Sequence, residues 1–189
     1  MRETARRAAV TGRPPLLWDN TPVNDAVMRD ALHLGPLGGR DPALRDVCAG
    51  VLWNPMEFAR ASIATLTSAA GWWRGEDPDD VWTAEVRRRG WWHLAVATSF
   101  VGDPHWPGAM ADDPTWWHEM LAGLPGEASE VGLDPAVQPW IDAAREGATI
   151  GRDAAVLTGA SASPVRVLGL AARWRSWRRR DVLTFGAGP

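Results

Sequence analysis

The sequence predicts an α/β segment followed by an all-α region, and three observations carry that division. Two brief apolar runs, Leu16 to Trp18 and Val51 to Trp53, stop abruptly on Asn or Asp and then Pro. Buried parallel strands look like this, short and apolar, with polar side chains handed to the loop at their C-terminal ends. About 31 residues separate the two runs, the size of a βαβ unit of roughly 30 residues. From residue 76 to about residue 180, apolar residues recur at helical spacing between Asp-Pro starts.

Each element follows in order. Met1 to Arg13 carries Ala5, Ala8, Ala9 and Val10 in the pattern of a helix remnant, broken by Arg13-Pro14-Pro15. Leu16 to Trp18 is the first strand, and Asp19 to Asn24 the polar loop after it. Val27 to Leu34 has room for a helical turn or two. Asp41 caps a helix with Pro42 at its first position, running to Ala49 and ended by Gly50. Val51 to Trp53 is the second strand. Pro55 opens a long helix with Ala59, Ile63, Leu66, Ala70 and Trp73 as its apolar stripe. Later helices start at Asp77-Pro78, around Leu94, at Asp113-Pro114, at Asp134-Pro135 and at Pro164. Connections rich in Pro and Gly fall near 103–114, 123–126 and 159–164.

Crossovers of the βαβ kind are almost always right-handed, so the two strands run parallel. Parallel strands bring Asn20, Asp25 and Asn54 to one edge of the sheet. A two-stranded parallel sheet cannot cover both of its faces, so further strands must come from elsewhere.

Composition excludes several classes. The 189 residues, 46% hydrophobic and 23% charged, suit a globular chain with net charge −3, which draws neither nucleic acid nor anionic lipid. All 20 basic residues are Arg, and 13 Trp stand against no Tyr; a G/C-rich codon bias accounts for the first pattern. Cys48 is the only cysteine, and His33, His93, His105 and His118 are scattered, so no metal site is expected. No stretch reaches the ~18 apolar residues of a membrane span. Arg2, Arg6 and Arg7 are followed by no apolar h-region, so the chain as written reads as cytoplasmic, without a secretory signal.

Asn20, Asp25 and Asn54 are the best binding candidates. Amides and a carboxylate complement hydroxyl groups, which both donate and accept. Trp18 adds a flat apolar wall for a pyranose face. The plainer use of the same residues is local: Asn20 and Asp25 making Asx turns around Pro22, and Asn54 capping the helix after it. Trp72-Trp73, Trp91-Trp92 and Trp116-Trp117 read as core or interface aromatics. Arg173 to Arg180 mixes Arg with Trp174 and Trp177, an amphipathic helix with an Arg-rich outer face.

The blocks Trp18-Asp19-Asn20-Thr21-Pro22-Val23-Asn24-Asp25, Leu32 to Arg40 and Gly50 to Met56, followed by Ala61-Ser62, together resemble glycoside hydrolase family 84, the β-N-acetylglucosaminidases that include O-GlcNAcases and hyaluronidase-like enzymes. The likeness covers about residues 14 to 74. It implies the last two strand–helix units of a (β/α)8 TIM barrel, with a helical domain behind them. It implies that Trp18, Asn20, Asp25 and Asn54 line the pocket for a terminal N-acetylglucosamine, with Asp25 and the two Asn bonding its hydroxyls. It implies no cofactor. Three positions depart from the family pattern: Thr21 for an aromatic, Leu37 for Tyr, and Trp53 for a small or hydroxylated residue. All three are expected beside the pocket.

The family hydrolyses with retention, assisted by the substrate's own acetamido group, and uses an adjacent Asp-Asp pair on an earlier strand. Nothing before Trp18 supplies that pair. Asp79-Asp80 and Asp112-Asp113 lie downstream, where helix N-terminal charge explains them. The expected organisation is a remnant helix at 1–13, the C-terminal part of a barrel at 14–75, a helical domain at 76–181 and a tail at 182–189. The expected partners are an N-acetylglucosamine-containing glycan and a missing N-terminal barrel portion. The truncated chain alone is expected to be inactive. The alternative is a non-enzymatic sugar-binding or helical scaffold module.

Overall fold

The structure, a computed structural model, describes residues 2–98, 113–158, 163–182 and 184–185. Helix α1 (Arg2–Thr11) buries none of its residues. Strands β1 (Leu16–Asp19) and β2 (Gly50–Trp53) pair in parallel, with Leu16 opposite Gly50, Trp18 opposite Leu52 and Asp19 opposite Trp53. The direction inferred from the βαβ spacing therefore holds.

Between the strands the chain is less helical than its pattern suggests. Only a 3-10 turn forms at Ala26–Met28, and the segment then extends with Leu32 and Leu34 fully buried. Tryptophans from the helical region hold this segment by its carbonyls: Trp82 Nε1 donates to Leu34 O at 2.5 Å and Trp140 Nε1 to Asp30 O at 3.0 Å. Asp41 does cap its turn, accepting the Ala43 amide at 3.0 Å. The helix that follows, α2, is only Leu44–Val47. Cys48 is extended, and the Ala49 amide already donates to Pro15 O at 2.9 Å. Ladder pairing with the chain before β1 thus takes over before Gly50, which opens β2 and does not end a helix.

Helix α3 (Ala59–Arg74) starts four residues after Pro55, and its buried face is not the predicted stripe. Ala61, Ser62, Ala64, Thr65, Ser68 and Ala69 face inward, while Ala59, Ala70 and Trp73 are exposed. The reason is hydrogen bonding. Met56 N donates to Ser62 Oγ at 3.0 Å, Thr65 Oγ1 donates to Gly35 O at 2.6 Å, and Ser68 Oγ accepts from Leu37 N at 3.0 Å while donating to Pro78 O at 2.8 Å. Small hydroxylated residues let the helix sit against loop backbone whose groups need partners. Hydropathy cannot register that face.

Beyond residue 75 come α4 (Pro78–Arg88), α5 (Trp92–Thr98), α6 (Pro114–Gly123), α7 (Gln138–Thr158) and α8 (Pro164–Trp177). Two 3-10 turns, Ala128–Val131 and Pro135–Val137, lead into α7. The Asp-Pro pattern worked as read. Asp77, Asp113 and Asp134 each accept the amide two residues on, at 2.8 to 2.9 Å. The expected continuation of α5 to Val101, the Gly102-Asp103-Pro104 stop and Asp112 lie outside the described residues, as do 159–162 of the last connection.

α3 packs on α4, α6 on α7, and α7 on α8. The α7–α8 crossing is close because Gly147 has no side chain: a Cβ there would stand 2.6 Å from the Trp177 ring. One core runs through Leu34, Met56 and Phe58 to Trp91, Trp117 and Ile141. It crosses residue 75 without interruption, so strand loops and helices bury each other. Apolar burial of this kind dominates stability. A smaller cluster of Leu37, Ala69 and Trp72 lies under Val51 and Trp53.

Candidate functional site

The site is built at the C-terminal ends of β1 and β2. In an extended chain successive side chains point to opposite sides. Trp18 and Asn20 accordingly share the open side, and Asp19 and Thr21 the covered one, as their alternating exposure records. On the open side, Trp18 Nε1 donates to Asn20 Oδ1 at 2.7 Å, and Asn54 Nδ2 donates to the same oxygen at 3.3 Å. The Asn54 amide continues the ladder to Asp19 O at 2.9 Å. Three of the four predicted residues are thus linked across the two strands.

The fourth, Asp25, stands apart from that chain of bonds. It is exposed, after the buried Pro22, Val23 and Asn24, and its backbone carbonyl accepts Met28 N at 2.8 Å. Its side chain does not cap the 3-10 turn. Nor does Asn54 cap α3, whose N-cap position is Phe58. The local bond in this loop belongs to Asn24, which donates from Nδ2 to Ala31 O at 3.3 Å. The turn-and-cap use of Asn20, Asp25 and Asn54 is therefore not what these side chains do.

On the covered side lies a pair to which sequence reasoning gave no role. Arg40 binds Asp19 with two parallel bonds, Nε to Oδ2 and Nη2 to Oδ1, both 2.8 Å. Nη2 also donates to Thr21 Oγ1 at 2.8 Å, and Nη1 to Gly38 O at 2.7 Å. The pair is mostly buried, with side-chain exposures of 32% for Arg40 and 19% for Asp19. Burial alone would raise the Asp19 carboxyl; hydrogen bonding from Arg40 and Thr21 and the guanidinium charge outweigh it and hold the group below its ordinary value. Both residues stood inside the quoted blocks, but nothing in their spacing says that they meet.

The three departures from the family pattern separate here. Thr21 is at the site, as an acceptor for Arg40. Leu37 and Trp53 are not on the open face. Leu37 is buried with Ala69 and Trp72, and Trp53 packs edge-on against Trp72 at 6.2 Å between ring centroids.

Other motifs resolve into structure. Asp79 and Asp80 occupy the first turn of α4 behind the Asp77 cap, and Asp113 caps α6. Each tandem Trp pair puts one ring in the interior (Trp72, Trp91 and Trp117) and one nearer solvent. In α8, Trp177 is buried with its indole donating to Ala143 O at 2.8 Å, Leu170 is half-buried, and Trp174 is largely outside under Arg178. Arg173 pairs with Asp153 at 2.7 Å and Arg180 with Glu146. An open groove along α1, lined by Glu3, Arg6, Arg7 and Val10, shares no residue with the rim.

A family model described as beta-N-acetylglucosaminidase matches residues 1–94. Among solved structures, a mutant of Thermobaculum terrenum O-GlcNAc hydrolase is 20% identical with a TM-score of 0.66, over 98% of this chain and 48% of that one. CpGH84B is 14% identical with a TM-score of 0.75, over 97% and 40%, and CpGH84D is 18% identical with a TM-score of 0.71, over 94% and 36%. At these identities the likeness is one of fold: a mixed α/β, helix-rich chain with two parallel strands. The chain spans less than half the length of each of these structures. Residues 1–94 thus place this part of the chain in the β-N-acetylglucosaminidases, glycoside hydrolase family 84, and the fold of the chain is that of the solved members.

Proposed function

We propose that this chain supplies the N-acetylglucosamine-binding rim of a β-N-acetylglucosaminidase active site. In this reading residues 14–75 are the last two strand–helix units of a (β/α)8 barrel, 1–13 belong to the helix before them, 76–181 form a helical domain and 182–189 a tail. The observation that carries the reading is the bonded series Trp18–Asn20–Asn54 across the C-terminal ends of two parallel strands, the edge at which barrel enzymes hold substrates. Trp18 is 66% exposed while its indole N–H is held by Asn20, so a ring face is available to the apolar side of a pyranose. Asn20, Asn54 and Asp25 serve its hydroxyls.

In the complete enzyme the reaction is substrate-assisted hydrolysis with retention. The acetamido-orienting carboxylate and the general acid/base come from outside this chain. Asp79 and Asp80 are committed to the start of α4. The chain alone therefore binds sugar without turning it over. A second reading, a non-enzymatic sugar-binding module, is favoured by the core that joins strand loops and helices into one unit.

Two assays on the 189-residue protein test this. A chromogenic β-N-acetylglucosaminide should release no colour; authentic turnover would mean that the catalytic groups are within the chain. Calorimetric titration with N-acetylglucosamine should show binding that Asn54→Ala weakens by about tenfold, the loss of one or two hydrogen bonds. Equal affinity in the variant would remove Asn54 from the site.

A further inference from the structure

We propose that Arg40 is the positioning residue of the rim, a clamp that sets Asn20 by gripping the residues on both sides of it. The inference rests on the sugar-binding reading for its purpose, but not for its geometry. One guanidinium holds Asp19 by two bonds and Thr21 by a third. Those two residues flank Asn20, and the alternation of an extended chain then turns Asn20 to the opposite side. There Asn20 Oδ1 receives Trp18 and Asn54. The remaining anchor, Gly38 O, ties the clamp to the Gly38-Gly39 loop 18 residues beyond Asn20. Apart from the bonds to Trp18 and Asn54, the Asn20 side chain has no other partner among the described residues, so its setting depends on the backbone that Asp19 and Thr21 hold on either side.

The clamp also gives Thr21 a purpose. The hydroxyl accepts from Nη2 at 2.8 Å, on an atom that also serves Asp19. A planar fork is needed to reach Asp19, Thr21 and Gly38 at once. Lysine has the charge and lacks the fork. The clamp therefore distinguishes guanidinium geometry from charge, which a simple ion-pair staple does not.

The test compares the native chain with Arg40→Lys, Arg40→Met and Thr21→Val by NMR. The signals read are the Trp18 indole N–H and the Asn20 and Asn54 side-chain amides, with thermal melting alongside. In Arg40→Lys the ion pair to Asp19 survives and melting changes little. The rim signals nonetheless shift toward free-solution positions, and N-acetylglucosamine affinity falls by about tenfold. Thr21→Val moves the same signals in the same direction, with a smaller loss of about threefold. Arg40→Met shows the largest change in both readouts; if it does not fold, Thr21→Val and Arg40→Lys decide. Rim signals coinciding with native in both of those variants, with only melting altered, would overturn the clamp and leave Arg40 a structural staple. If the native chain binds no N-acetylglucosamine, the sugar reading fails, and the rim signals still judge the clamp.

Discussion

The two faces of the β1–β2 sheet differ in what meets them. On one face Val51 and Trp53 lie on Leu37, Ala69 and Trp72, and α3 covers them. On the other, Leu16, Trp18 and Leu52 are 58%, 66% and 49% exposed. Opposed residues Trp18 and Leu52 sit side by side on that bare face. Parallel sheets are normally covered on both sides. The difference teaches that tryptophan serves two purposes in this chain. Trp82, Trp91, Trp140 and Trp177 bury their rings and give their N–H groups to backbone carbonyls of other elements. Trp18 keeps its ring in the open and gives its N–H to a side chain of the proposed rim.

The sharpest way to break this contrast is to truncate one ring of each kind. Trp91 is fully buried and donates to Val131 O at 2.7 Å, so Trp91→Ala should cost about 3–5 kcal/mol. Trp18→Ala should cost within about 0.5 kcal/mol, as exposed substitutions do, and should abolish sugar binding. Urea unfolding of the two variants checks the pair. Comparable destabilisation would mean that Trp18 is a packing residue like the others.

A smaller loss is expected on the covered face. Ser68 is fully buried and serves both Leu37 N and Pro78 O. Ser68→Ala leaves both without that partner and should cost about 2–3 kcal/mol, measured in the same unfolding experiment. The reverse sign is expected at Ala26, next to Asp25, which holds a positive φ of 47°. Ala26→Gly should raise stability by about 1 kcal/mol, because glycine occupies that region without a Cβ penalty. A loss there would indicate that packing of the methyl group outweighs the backbone term.

The smallest effects depend on pH. Burial lowers His33 below its ordinary value of 6.5, and its Nε2 has no partner among the described residues. The unfolded chain takes the proton first as pH falls. The stability that neutral His33 contributes is thus complete above 6.5 and lost below it. Asp19 is likewise lowered, from 3.8. Its contribution is complete above that value and disappears as pH falls through the lower folded value. Unfolding midpoints followed against pH should flatten between about pH 7 and pH 5 in His33→Leu, and below about pH 4 in Asp19→Asn.

What could be read from residues alone was local. The strands announced themselves because an apolar run ending on Asn or Asp and Pro is a short-range pattern, and four of the Asp-Pro caps are contacts two residues long. The parallel direction followed from chain length and handedness. The inward face of α3 escaped because its residues work by hydrogen bonds to loops some thirty residues away. The Asp19–Arg40 pair escaped for the same reason: 21 residues separate its members, and only the folded loop joins them. Spacing and strand direction placed Asn20 and Asn54 at one edge, where their side chains bond; the bond from Trp18 to Asn20 was not foreseen, and Asp25 is set by a turn whose course the sequence left open.

Trp18, Asn20 and Asn54 are proposed to form one binding rim. The most direct measurement is an NMR titration of the native chain with N-acetylglucosamine. Shifts are expected to centre on the Trp18 indole and the Asn20 and Asn54 side-chain amides and to extend to the Asp25 backbone, with quiet signals from α4 to α8. Shifts centred on the tryptophans of α6 or α8, with the rim signals unmoved, would contradict it.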